Sequence, residues 1–233
     1  MRYLNGRHGT ESGMTRALVI GASGGIGAAL SEALAARGVA VTGLSRSRDG
    51  LDITDAASVD RVIGAQSGPF DLILVASGIL APPGHAPEKA LSQIDPAAMA
   101  EVMAVNAIGP ALILRHVHRL LPRDGRSVVA VLTARVGSIG DNRLGGWYSY
   151  RASKAAANQL VRTAAIEITR KRKEAVVVAL HPGTVATPFT SGYPGHRKVS
   201  PEEAARNLLG VLDALRPEHT GRFFDWAGTE VHW

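Results

Sequence analysis

The chain of 233 residues contains no cysteine, which excludes disulfides, thiolate catalysis and Cys-ligated zinc. Its eight histidines are scattered. Only His116 and His118 lie close together, and a spacing of two on a helix turns their rings apart, so no metal site is expected. No uninterrupted apolar run approaches the roughly 20 residues that span a bilayer. Met1 to Gly13 are polar and lack the apolar centre of a signal peptide. Residues 1–13 are therefore expected to form a disordered extension before one domain at 14–233, in a cytoplasmic protein with no membrane partner.

The net charge of +6, from 26 basic against 20 acidic residues, raises the question of an anionic partner. The one dense basic run, Arg170-Lys171-Arg172-Lys173, sits where a helix should end, and cations are favoured there by the helix dipole. No aromatic residues interleave with it to stack bases. A solvated helix end is the expectation, with no nucleic-acid partner.

What is present is an alternation of apolar strands with helical segments. Strands are predicted at 17–20, 39–44, 72–76, 127–132, 175–180 and 221–226. Helices are predicted at 28–36, from about Asp55 to Ala65, from Pro96 to about Leu121, from Trp147 or Tyr148 to about Arg170, and after Ser200. Asp95-Pro96 and Ser200-Pro201-Glu202-Glu203 are helix-start signals. Gly109-Pro110 should disturb the third of these helices near Asn106. Alternating strands and helices imply right-handed crossovers and an α/β fold, a single doubly wound Rossmann domain with a parallel sheet and helices on both faces. Ligands of such sheets bind at the carboxyl ends of the strands.

Three stretches there carry chemistry. The first strand runs into Gly21-Ala22-Ser23-Gly24-Gly25-Ile26-Gly27. Glycines at that place allow a tight turn and close approach of a pyrophosphate to the positive end of a helix. The spacing is wider than G-x-G-x-x-G. The second strand ends in Leu44-Ser45-Arg46-Ser47-Arg48, with no acid before Asp49 to bond a ribose 2′-hydroxyl. Ser45 and Arg46 suit a 2′-phosphate instead, so NADP(H) is expected in preference to NAD(H). The third stretch is Tyr148-Ser149-Tyr150-Arg151-Ala152-Ser153-Lys154. Tyr150 and Lys154 are four apart and share a helical face. A neighbouring ammonium favours the phenolate, and bringing a phenol from its usual pKa to near 7 takes roughly 4 kcal/mol of differential interaction.

Taken in order, Gly21-x-x-x-Gly25-x-Gly27, Asp52, Asn106, Tyr150-x-x-x-Lys154 and His181-Pro182-Gly183-Thr184-Val185-Ala186-Thr187 resemble the short-chain dehydrogenase/reductase family, from about Met14 to the C-terminus. The stretch Gly137-Ser138-Ile139 through Arg151 and the ending Gly221-Arg222-Phe223-Phe224-Asp225 are most similar to its C-factor-like or sniffer-like carbonyl reductase branch. The resemblance implies hydride transfer from NADPH to a carbonyl compound, or the reverse from its alcohol, with Tyr150 as general acid and base. It implies that Lys154 lowers the Tyr150 pKa and bonds the nicotinamide ribose, and that Asn106 positions a water beside Lys154. Asp52 and Ile53 would contact the adenine. Pro182, Gly183, Val185 and Thr187 would line the nicotinamide side.

Two departures from the family pattern stand out. Val75-Ala76-Ser77-Gly78 replaces the usual Asn-Asn-Ala-Gly and keeps only Gly78. The family's catalytic serine position falls on Ala134, so the hydroxyl that orients the carbonyl would come from Ser138 or Thr133, with Ser138 favoured by spacing from Tyr150. Trp147, Phe189 and Tyr193 are candidate pocket walls or packing residues. The resemblance implies a homodimer or homotetramer through the helices around Asn106–Leu121 and Trp147–Arg170, where Gly109 and the Ala155-Ala156-Ala157 run would let helices approach closely or would instead pack on their own sheet. The rival reading is an NADP(H)-binding sensor or signalling protein with little turnover, favoured by the missing serine and opposed by the retained Asn106, Tyr150 and Lys154.

Overall fold

Six parallel strands form one sheet in the order β2-β1-β3-β4-β5-β6, in a computed structural model that describes residues 13–192 and 197–233. The expected extension, apart from Gly13, and Tyr193 lie outside the described residues. The strands are β1 (Arg16–Ile20), β2 (Ala40–Leu44), β3 (Leu72–Val75), β4 (Ser127–Leu132), β5 (Ala175–His181) and β6 (Phe223–Asp225). The inner strands β3 and β4 are buried along their whole length. Helices cover both of their faces, which is why they read as unbroken apolar runs rather than as alternation.

The helices are α1 (Gly25–Ala36), α2 (Arg46–Asp49), α3 (Ala56–Gly64), α4 (Pro96–Met103), α5 (Gly109–Leu120), α6 (Tyr148–Lys171) and α7 (Pro201–Ala214). One core layer joins Ile73, Val75, Val129, Val131 and Val177 to Val59 and Ile63 of α3, Ile113 and Val117 of α5, and Val161, Ala165 and Ile168 of α6. The other joins Val19, Leu74, Ala130 and Val178 to Leu30 and Leu34 of α1 and to Leu208, Leu209 and Leu212 of α7. The doubly wound reading of the sequence is the architecture found.

The predicted disturbance near Asn106 is a π turn over Ala104–Ile108 that joins α4 to α5. Its cause is local. Pro110 has no N–H to offer the carbonyl of Asn106 four residues back, and the ladder widens so that the Gly109 N–H bonds the carbonyl of Ala104. The combined helical run 96–120 is long and apolar enough, by length and composition, to cross a membrane, which no unbroken apolar run had suggested. Val102, Ile113, Val117 and Leu120 of that run are buried in the protein.

α2 was not anticipated. Ser45 caps it by accepting from the Arg48 N–H at 3.3 Å, and Asp49 reaches back to accept the Ser45 N–H at 2.7 Å. Gly50 ends it in a left-handed conformation, φ 65°, which glycine adopts without a Cβ penalty.

Candidate active site

The chain runs from β1 to β2 on one side and then returns to β3 on the other side of β1. The crevice beyond the carboxyl ends of β1 and β3 is therefore the topological switch point, where such sheets bind ligands. Gly21 floors it. With φ 85° it turns the chain sharply, and a Cβ there would lie 2.9 Å from the Ala76 carbonyl carbon after β3. Gly27 is equally constrained, since its Cβ would fall 2.2 Å from the Gly21 oxygen. Ser23, Gly24 and Gly25 are exposed, and Ile26 is partly buried. No side chain caps α1, and its first turn carries no acid. A helix N-terminus in that state, reached through exposed glycine backbone, fits a pyrophosphate.

The nicotinamide-side turn meets this loop. After β5, Pro182 and Gly183 lead to Val185, which is buried and bridges to Val199. A Cβ on Gly25 would come within 2.6 Å of Thr187 Cγ2. The phosphate turn and the nicotinamide-side turn thus meet beside the switch-point crevice. Gly78 lies deeper in it, where a Cβ would sit 3.1 Å from Asn106 Oδ1 and 3.3 Å from Lys154 Nζ.

At the ribose end the side chains differ from the expectation. The Ser45 hydroxyl is buried and held between Arg48 N–H and Asp49 Oδ2, so it is committed to α2. Arg46 is exposed at the first position of that helix. Its charge contributes to keeping the Asp52 carboxyl below its usual range, after the larger effect of hydrogen bonds from the Thr54 hydroxyl and N–H. Ile53 packs against Gly109, where a Cβ would meet Ile53 Cδ1 at 2.8 Å. The close approach permitted by Gly109 is therefore intramolecular.

Tyr150 and Lys154 project from the first two turns of α6 and are both buried. Tyr150 sits between two other aromatics: its ring centroid is 6.0 Å from that of Trp147 and 6.0 Å from that of Phe189. Two of the three candidate pocket walls thus flank it. Lys154 Nζ lies 5.8 Å from the centre of the tyrosine ring and donates to the Leu132 carbonyl at 3.1 Å. Burial raises the Tyr150 phenol above its ordinary pKa, and burial lowers Lys154 to about 8. The expected lowering of the phenol by Lys154 is not found. Removal from water disfavours the phenolate, and this outweighs an ammonium that is itself desolvated and turned toward a carbonyl.

Asn106 is fully buried in the π turn. Its Oδ1 accepts the Ile79 N–H at 2.9 Å, and its Nδ2 donates to the Ile79 carbonyl at 2.7 Å and to Ser153 Oγ at 3.1 Å. The side chain clamps the loop after β3 onto α6.

The two candidate hydroxyls lie apart in character. Ser138 Oγ accepts the Asp141 N–H at 3.1 Å, capping the turn after a 3₁₀ segment, Arg135–Gly137. Gly137 is pressed onto the Lys154 backbone, where a Cβ would lie 2.7 Å from its carbonyl carbon. Thr133 continues the β4–β5 ladder by donating its N–H to Leu180 O at 2.8 Å. Alternation with Val129 and Val131 puts it on the α6 face of the sheet. Its hydroxyl is buried with no hydrogen-bond partner.

Two further residues received no role in the sequence reading: His181, which entered only as the start of the His181–Thr187 motif, and Glu88, which did not enter at all. His181, at the end of β5, is paired in register with Asp225. Burial lowers its pKa to about 4 although Asp225 opposes the shift, and Nδ1 has no partner. Glu88, in the loop between β3 and α4, is a buried carboxylate bonded to the start of α6. Its signal was indirect: nothing at the start of α6 could cap the helix.

Comparison with known proteins agrees with this geometry. A family model described as enoyl-(acyl carrier protein) reductase matches residues 21–224. The chain is 32% identical over 237 residues to 1-hydroxy-2-glutathionyl-2-methyl-3-butene dehydrogenase of Rhodococcus, covering 94% of this chain and all of that one. It is 40% identical over 170 residues to C-signal of Myxococcus xanthus, covering 72% of this chain and 95% of that one, in line with the expected C-factor-like resemblance. A short-chain dehydrogenase/reductase of Burkholderia multivorans, solved with bound NADP, superposes with a TM-score of 0.79 at 25% identity, covering 94% and 100% of the two chains. With the glycine turn, the switch-point cleft and the Tyr150–Lys154 helix in their places, the chain belongs to the short-chain dehydrogenase/reductase family.

Proposed function

We propose that the protein is an NADP(H)-dependent oxidoreductase that reduces a carbonyl compound, or oxidises the corresponding alcohol, with Tyr150 as general acid and base. The observation that carries this reading is the placement of Tyr150 and Lys154 on one face of α6, beside a glycine cleft that fits a dinucleotide. NADP(H), when bound, supplies or accepts the hydride. The Tyr150 hydroxyl gives its proton to the carbonyl oxygen in reduction and takes one back in oxidation. With a pKa of about 8, Lys154 is largely charged at neutral pH and stabilises the phenolate that reduction leaves. Trp147 and Phe189, on either side of the phenol, suit a substrate with an apolar body. Ser138 accepts but does not donate in its turn, so its proton is available to orient the carbonyl; Thr133, with its unpartnered hydroxyl, is the competing choice.

The preference for NADP(H) rests on Arg46, exposed at the start of α2 just after β2 with a charge suited to a 2′-phosphate, and is supported by the NADP-bound relative. Assembly as a homodimer or homotetramer is supported by Ile108 and Ile166, each about half exposed on helical segments beside α5 and on α6.

The decisive experiment follows NADPH oxidation with a panel of aldehydes, ketones and quinones in wild type and Tyr150→Phe. Turnover by wild type that the variant lacks, with NADPH binding intact in both, is the expected result. Equal, slow oxidation by both with every substrate would overturn the reading.

A further inference from the structure

We infer that Glu88 is a positioning residue for Tyr150: it supplies from the β3–α4 loop the cap that α6 lacks in its own sequence. The residue at the N-cap position is Trp147, whose side chain makes no capping bond. It is also the one non-glycine residue with positive φ among those described, at 54°, following Gly145 and Gly146, both at 65°. Three consecutive left-handed residues deliver the chain into the helix, and a bulky side chain holds that conformation only where its surroundings fix it.

Glu88 does the fixing at three points. Its carbonyl accepts the Trp147 N–H at 2.5 Å. One carboxylate oxygen accepts the Ser149 N–H at 3.2 Å, and the other accepts the Ser149 hydroxyl. Ser149 is itself buried, so these bonds are shielded from water. An ionised carboxylate at a helix N-terminus satisfies free N–H groups and is favoured by the dipole. Arg151 secures the same turn from the other side, donating from Nε to the Gly146 carbonyl at 3.0 Å and from Nη1 to the Val136 carbonyl at 3.2 Å.

Tyr150 is the third residue of α6, inside the turn that the cap stabilises, whereas Lys154 is in the next turn. Loss of the cap therefore moves the phenol relative to the ammonium and the cleft without touching Lys154. The loop that carries Glu88 is clamped near its other end by Asn106 at Ile79. The two clamps together make one rigid frame from the cleft floor, the π turn and the start of α6. Misplacement of a reacting group by about 1 Å can cost on the order of 100-fold in rate.

The inference rests on the proposed catalytic role of Tyr150, and its test has an arm that needs no turnover. Glu88→Asp keeps the charge but shortens the reach. Glu88→Gln keeps the reach and can still accept from the Ser149 N–H while donating to its hydroxyl. The expected result for Glu88→Asp is a fall in kcat of about 10-fold or more, with the Kd for NADPH within about threefold of wild type. Glu88→Gln is expected to retain at least about a third of wild-type kcat. Amide exchange of Ser149 should quicken about 10-fold in Glu88→Asp, while residues 155–168 exchange as before. The inference is overturned if Glu88→Asp keeps kcat within twofold, if Glu88→Gln loses as much as Glu88→Asp, or if kcat and NADPH affinity fall together. Should wild type itself show no turnover, the proposed function fails, and the Ser149 exchange alone decides whether Glu88 holds the first turn.

Discussion

Gly25 at the start of α1 and Thr187 after β5 touch across the cleft, so closely that a Cβ on Gly25 would stand 2.6 Å from Thr187 Cγ2 and 3.3 Å from its Cβ. The phosphate turn and the nicotinamide-side turn thus constrain each other. Gly25→Ala should overpack the contact and cost about 1–3 kcal/mol, with weaker NADPH binding. Thr187→Ser removes the offending methyl and keeps the hydroxyl, so the double variant should recover most of the loss. Thermal unfolding and NADPH titration of the four proteins check this. Additive effects would show that the contact does not couple the two turns.

The pH dependence should differ between the two directions of the reaction. On the proposed mechanism, reduction needs a protonated Tyr150 and a charged Lys154. Burial raises the phenol pKa and leaves Lys154 at about 8. Reduction should therefore be level from about pH 6 to 7.5 and fall as Lys154 loses its proton above about 8. Oxidation needs the phenolate, which the raised pKa makes scarce at neutral pH, so its rate should climb on the alkaline side. Rate profiles of kcat/KM for both directions test this, and a reduction rate that rises through pH 8 contradicts it.

Much of this arrangement was legible in the sequence, for identifiable reasons. An apolar strand running into glycines, and Pro110 placed four residues after Asn106, act through backbone geometry, which local sequence reports directly. What was not legible depends on partners distant along the chain. Glu88 meets Ser149 across 61 residues, and the commitment of Ser45 to Asp49 follows from a short helix that composition did not announce. The direction of the Tyr150 shift was missed for a similar reason. The spacing to Lys154 was visible, but burial of both groups was not, and burial dominates.

On the proposed function, Lys154 gives up stability for chemistry. Its pKa of about 8 in the folded protein lies below the usual lysine value of about 10.4. The unfolded chain therefore binds more protons between those values, and stability rises with pH through that window. Below about pH 8 the buried charge costs about 3 kcal/mol, from 1.36 kcal/mol per unit. Lys154→Met should accordingly raise Tm at pH 7, lose that advantage above pH 10, and abolish turnover. Denaturation at both pH values, with an activity assay, checks all three; a Tm lowered at pH 7 would show that the bond to Leu132 O outweighs desolvation.

The carbonyl-orienting hydroxyl can be separated from its rival because the two occupy different surroundings. Ser138 Oγ caps the turn to Asp141, so Ser138→Ala loses one hydrogen bond there, worth about 1 kcal/mol, as well as any role toward substrate. Thr133 Oγ1 bonds nothing, so Thr133→Val removes a buried polar atom without a partner and should leave Tm unchanged or raised. If Ser138 orients the carbonyl, Ser138→Ala should lower kcat on the order of 100-fold, while Thr133→Val stays within a few-fold of wild type. The reverse pattern, an active Ser138→Ala beside a thermally stable but inactive Thr133→Val, moves the role to Thr133, since stability and activity would then part in opposite directions at that one hydroxyl.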